Sequence, residues 1–210
     1  LYTDRPIGKY RIMESTEIIL NKAEKLFADS GFGSVSMTNI AKACDMSKAN
    51  LYHHFSSKQD LYMQILIRAQ KNTQNILEKT KKITGTYIEK IEFFINEHLN
   101  QMLKDPMKYK LLAREFSDLG LSSRAMPSVG LMEQNLSQIV DLIDQAKNTG
   151  EIIEGTDSRL LAYQLLSPNL TYITHQNLFD SVFEGLGPSS NKNFSKTLTA
   201  NLLRGVKRND

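Results

Sequence analysis

Between Ser36 and Phe55 the chain reads SMTNIAKACDMSKANLYHHF, and this stretch restricts the fold more than any other. It leaves room for two helices of about two turns each, joined by the three-residue turn Asp45-Met46-Ser47. Helices so short do not persist alone in water, where about 12–15 residues are needed for even marginal stability. Both must be held by packing, and the packed face can be read off. At about 100° per residue, Leu51 and Phe55 share one side of the second helix, Ala49, Asn50 and His53 lie opposite, and Tyr52 and His54 occupy the flanks. Ser36 stands where an N-cap opens the first helix, which carries Ile40, Ala41 and Cys44.

Helical periodicity governs the rest of the chain. Ile19, Ala23, Leu26 and Phe27 form the apolar stripe of a helix over about residues 15–30, with Gly31 as a left-handed cap. Ser56 and Gln59 predict a capping box that opens a longer helix with Leu61, Ile65, Ala69 and Ile76 inward. Beyond Gly85 the segments lengthen: one helix with Ile88, Ile91, Ile95, Leu99 and Met102 on a face, another over 106–119 begun by Pro106, a third over 127–149 ended by Gly150. Pro168 lacks a backbone donor and should kink a helix over 157–184; the last helix runs from Phe194 to Val206. No run alternates as a strand does. The expected fold is all-α, with about nine helices: a flexible arm over residues 1–12, a helix-turn-helix domain over 13–73 with its core at 36–55, and a larger bundle over 74–210.

Composition narrows the function classes. With 40% hydrophobic and 23% charged residues the chain has the make-up of an ordinary soluble protein. No run approaches the roughly 20 apolar residues of a membrane helix, and no leader opens the sequence, so the expected setting is the cytoplasm, away from membranes. Cys44 has no cysteine partner and reads as a packed small residue. His53 and His54 diverge by about 100°, and neither has a His, Asp, Glu or Cys four residues on, which argues against a metal site. Without a G-x-S-x-G elbow, a phosphate loop or H-E-x-x-H, the chain does not read as an enzyme and no cofactor is implied. Two classes remain, a DNA-binding regulator and a helical adaptor that binds only proteins. A net charge of +3 does not decide between them, so the argument rests on where particular residues sit.

The outer face of the second short helix suits the DNA major groove. Asn50 matches the donor and acceptor of adenine, and Ala49 can lie against a thymine methyl. Tyr52, Lys48 and Lys58 are candidates for phosphate contacts, as are Ser36, Thr38 and the first amides of their helix. His53 points toward DNA. His54 has two readings, a flank packed on the next helix or a phosphate contact.

Here the chain resembles the TetR-type transcriptional regulators. LNKAEKLFADSGF is similar to their first helix and SMTNIAKACDMSKANLYHHFSSKQDL to their helix-turn-helix, matched by Ile40, Ala41, Ser47, Lys48, Ala49, Leu51, Tyr52, His54, Phe55 and Lys58. Asp45 departs from the glycine common in the turn, at little cost because aspartate tolerates the left-handed conformation. Asn50 departs from the usual small hydroxyl or glycine, which should alter sequence preference. The resemblance implies a homodimer built through residues 157–184 and 190–206, a palindromic operator, and a small-molecule effector held in the C-terminal bundle. It implies a regulator, expected to be a repressor, that releases DNA when the effector binds. Phe93, Phe94, His98, Tyr109, Arg114, Glu115, Phe116 and Tyr163 are the candidates for that pocket, although each aromatic alone also reads as core.

Overall fold

A computed structural model describes residues 7–117, 126–182 and 194–207. They form α1 (Ile7–Ser34), α2 (Met37–Ala43), α3 (Lys48–His54), α4 (Lys58–Lys81), α5 (Tyr87–Lys104), α6 (Pro106–Ser117), α7 (Met126–Asn148), α8 (Ser158–Thr174), α9 (Gln176–Val182) and α10 (Phe194–Arg204). A single antiparallel bridge, Ile152 with Lys207, is the only β pairing among the described residues.

Four expectations change, each for a local reason. Helix α1 begins at Ile7, so the arm expected over residues 1–12 is helical from that residue on, and residues 1–6 lie outside the described ones. Its other end runs past Gly31, whose φ of 77° bends the chain before a last turn to Ser34. The cap of α4 is Ser57 rather than Ser56: the Ser57 hydroxyl accepts the Asp60 N–H at 3.0 Å, while the Asp60 carboxylate accepts the Ser56 N–H and hydroxyl at 3.0 and 2.9 Å. Asp60 thus takes the part expected of Gln59, because a charged acceptor at a helix N-terminus is the stronger one. Finally, the helix expected over 157–184 is divided at His175 into α8 and α9. Pro168 sits within α8, while the Thr174 hydroxyl bonds to the Leu170 and Thr171 carbonyls at 2.9 and 3.0 Å and competes with the backbone for them. That break makes ten helices among the described residues.

Two apolar clusters organise the molecule. One joins Ile19, Ala23 and Phe27 of α1 to Ile40 and Leu51 of the short helices and to Leu61, Ile65 and Leu66 of α4, then continues into Tyr109, Leu112 and Tyr172. The other joins Ile76 and Leu77 of α4 to Ile91 and Phe94 of α5, Ile143 of α7, and Leu161 and Leu165 of α8. Helix α4 is common to both, so the N-terminal head and the bundle share one continuous beam about 36 Å long (1.5 Å per residue). The start of α5 is fastened from a distance. Glu151, in the loop after α7, accepts the Tyr87 and Ile88 N–H groups at 3.1 and 2.9 Å, beside the local box formed by Thr86 and Glu89. No described helix is long and apolar enough to cross a membrane.

Candidate nucleic-acid interface and effector cavity

Helix α3 is held where the periodicity places it. Ser47 accepts the Asn50 N–H at 3.1 Å and caps its start, Leu51 is fully buried, and Phe55 is 4% exposed. The turn before it is set by Asp45 at φ 53°, the left-handed conformation expected there, with Met46 N–H on the Ala41 carbonyl at 3.0 Å. Helix α2 opens with a capping box: the Ser36 hydroxyl accepts the Asn39 N–H at 3.1 Å, and the Asn39 side chain accepts the Ser36 N–H at 3.0 Å. Lys48, Ala49, Asn50, Tyr52 and His53 are all exposed, as are Ser36 and Thr38. The Lys48 ammonium lies 5.9 Å from the Tyr52 ring centre, so a charge and a phenol stand together at one edge of the helix.

Two candidates turn inward. The Lys58 ammonium donates to the Phe32 and Val35 carbonyls, both at 2.8 Å, and sits 4.3 Å over the Phe32 ring. These contacts tie the end of α1 to the start of α4, where carbonyls left open after the Gly31 bend need a donor. Lys58→Met should therefore lower stability by about 2 kcal/mol, a loss that urea unfolding would register; unchanged stability would return Lys58 to the DNA surface. The His54 ring nitrogen Nδ1 pairs with the Thr16 hydroxyl at 3.1 Å, a contact to α1 and not to the helix that follows, where the packed flank was expected.

Helices α4, α5, α6, α7 and α8 line an open cavity of about 290 Å³. His98, Tyr109 and Tyr163 are among its lining residues. Phe94 is buried behind His98, stacked on it with ring centres 5.6 Å apart. Phe93 is half-buried and not among the described lining residues; Glu115 is buried, also away from the lining. Arg114 leaves the pocket set: it lies in a separate shallow cleft with Thr171, Thr174 and His175, and a Cβ built on Gly31 would come within 3.4 Å of its guanidinium. That placement sets Arg114 against the bend of α1. Phe116 belongs to α6, but its side chain falls outside the described residues.

The cavity is apolar with a few polar groups. Burial pushes the His98 imidazole down to about 4, so the ring is neutral near pH 7, and its Nδ1 is sealed from solvent without a hydrogen-bond partner. Burial raises the Tyr109 hydroxyl well above its usual range; the Asn72 side chain acts in the opposite sense, and the Asp105 charge adds to the rise. Sequence reading missed Gln70 and Asn135, the buried pair on the opposite wall. The Asn135 amide donates to the Gln70 carbonyl at 3.0 Å and to its side-chain oxygen at 3.1 Å. No sequence signal announces this pair, since its members are 65 residues apart. Equally silent is the junction between head and bundle. There Arg68 bonds to Glu17 and Glu24 at 2.9 Å each and to Asn21 at 2.7 Å, with Lys108 paired to Asp105 nearby. No group of three or more His, Cys, Asp or Glu able to hold a metal occurs among the described residues.

An all-helical chain that presents a capped, polar-faced recognition helix on one side and a helical bundle on the other is a DNA-binding transcriptional regulator. Residues 19–65 match the family model described as "Bacterial regulatory proteins, tetR family". The chain is 28% identical to the HTH-type transcriptional regulator UidR of Escherichia coli K12 over 159 residues, covering 73% of this chain and 76% of that one. It is 30% identical to the regulator QacR of Staphylococcus aureus over 82 residues, 39% of this chain and 44% of that protein. Among solved structures, the TetR-family regulator PfmR of Thermus thermophilus superposes with a TM-score of 0.72 at 23% identity, covering 90% of this chain and 99% of that one. The regulator FadR of Bacillus halodurans does so at 0.74 and 18%, over 91% and 95%. At these identities the two structures support the fold.

Proposed function

We propose that this protein is a one-component repressor that binds a palindromic operator as a homodimer and leaves it when a small molecule occupies the bundle cavity. The observation that carries the reading is the division of α3, with Leu51 and Phe55 inward and Lys48, Ala49, Asn50, Tyr52 and His53 outward. Lys48 and Tyr52 hold phosphates, and Asn50, Ala49 and His53 face base edges. The subunits meet through α8 to α10, where Leu160, Leu178 and Val182 leave an exposed apolar surface. A two-fold axis there sets the two recognition helices about 34–36 Å apart, one turn of DNA, or a multiple of it. The cavity and the head share α4 and the cluster that runs from Ile19 to Tyr109 and Leu112. A ligand that favours one cavity shape thereby shifts the spacing of the heads by its difference in affinity between the two states.

Selection of bound fragments from random DNA tests the assignment. Lys48→Ala should weaken binding on all selected sequences alike and reduce the slope of log affinity against log salt by about 1. Asn50→Ala should relax a single base position, with a loss of about 1–3 kcal/mol there. Binding that does not respond to salt would favour the protein-adaptor reading instead.

A further inference from the structure

The bundle cavity has a directional chemistry that restricts what it can hold. Its inner wall is made by Met102, Leu112 and Ile139 with the ring edges of His98 and Tyr109, while Arg159 and Tyr163 of α8 stand exposed at its mouth. No Asp or Glu occurs among the described lining residues, and the buried His98 imidazole is neutral near pH 7. Arg159 is thus the one formal charge of the described lining. Asp157, the nearest acid in sequence, accepts the backbone N–H groups of Arg159 and Leu160 at 2.9 and 3.0 Å as the cap of α8.

These facts sort candidate ligands by charge. A cation inside would meet no carboxylate, and an anion inside would meet no positive group, so either would carry an uncompensated desolvation cost of several kcal/mol. A charge is tolerated at the mouth alone, and only a negative one finds a partner, since a guanidinium matches a carboxylate in paired hydrogen bonds. The interior takes an apolar body. Its volume of about 290 Å³ lies at the small end of ligand pockets, about 300–1,000 Å³, and suits a body of medium length.

We propose that the effector cavity takes a medium-length apolar monocarboxylate, its tail among Met102, Leu112 and Ile139 and its carboxylate on Arg159. This rests on the reading of the cavity as the effector site. Titration calorimetry of the full-length protein with decanoate, decan-1-ol and decyltrimethylammonium reads the head group directly. Decanoate should bind at least tenfold more tightly than the alcohol, and the cation more weakly than either. Arg159→Gln should bring decanoate down to the affinity of the alcohol. Equal binding of the three probes, binding by none, or a preference for decanoate that survives Arg159→Gln overturns the assignment. Ala113→Phe, which fills the cavity, should abolish binding of decanoate and decanol together; binding that persists places the ligand elsewhere and overturns it too. Release from operator DNA is measured separately: decanoate bound in the cavity without any loss of DNA affinity supports the ligand class while sinking the effector reading.

Discussion

Arg68→Met is expected to cost about 3 kcal/mol at pH 8 and much less at pH 5, the scale of a buried ion pair broken by removal of one partner. Arg68 ties α4 to Glu17, Asn21 and Glu24 of α1, and Glu24 is 4% exposed. The 2.9 Å contact favours an ionised Glu24, yet its pKa is raised from 4.5 to about 7. Burial is the main cause; the Asp105 charge and a hydrogen bond to Asp105 add to it, against Lys108 and Arg68, which pull the value down. The two carboxyls compete for one proton while the two cations face the remaining charge. Because the folded value lies above the unfolded one, this group's contribution to stability is complete below about 4.5 and is lost as pH rises through about 7. Without Arg68 the folded value moves higher still, so the variant keeps its proton at pH 5 and suffers mainly at high pH. Urea unfolding at the two pH values measures this, and adding Glu24→Gln should recover most of the loss at pH 8. An equal penalty at both values would show that Arg68 acts by packing rather than by charge.

The second large effect is expected of Leu51→Ala, at roughly 3 kcal/mol with loss of operator binding by more than about a hundredfold. Helix α3 has seven residues, and Leu51 is the one buried among them. A helix that short has no stability of its own, so truncating its anchor frees the helix as well as leaving a cavity. The bundle keeps its separate cluster around Phe94, Ile143 and Leu165, so cooperative unfolding of that part should persist while DNA binding disappears. Wild-type DNA affinity in this variant would mean that α3 is not the reading element.

Much of the head is legible from residue spacing because its instructions are local. Ser36 and Ser47 cap helices within three residues of themselves, Asp45 adopts the left-handed turn its short side chain tolerates, and Leu51 with Phe55 sets the face of α3. The inward contacts of Lys58 are not legible for an equally physical reason: only the Gly31 bend brings the Phe32 and Val35 carbonyls within its reach. The division at His175 is not legible in the same way, since it falls after Pro168, which stays within α8 beside Asn169, whose amide donates to the Ile95 carbonyl at 3.1 Å. Of the pocket candidates, His98, Tyr109 and Tyr163 converge on the cavity, while Arg114 settles against α1.

Sequence alone determined the all-helical class, the polar face opposite Leu51 and Phe55, and the resemblance to the regulator family. Those depend on periods of a few residues and on caps that bond to their own helix. The tertiary structure decided the Gln70–Asn135 pair, the Arg68 junction, the inward contacts of Lys58 and His54, and the placing of Arg159 at an otherwise uncharged mouth. Each joins side chains on different helices, and hydrophobic periodicity orients a helix without saying which polar group of another helix it will meet.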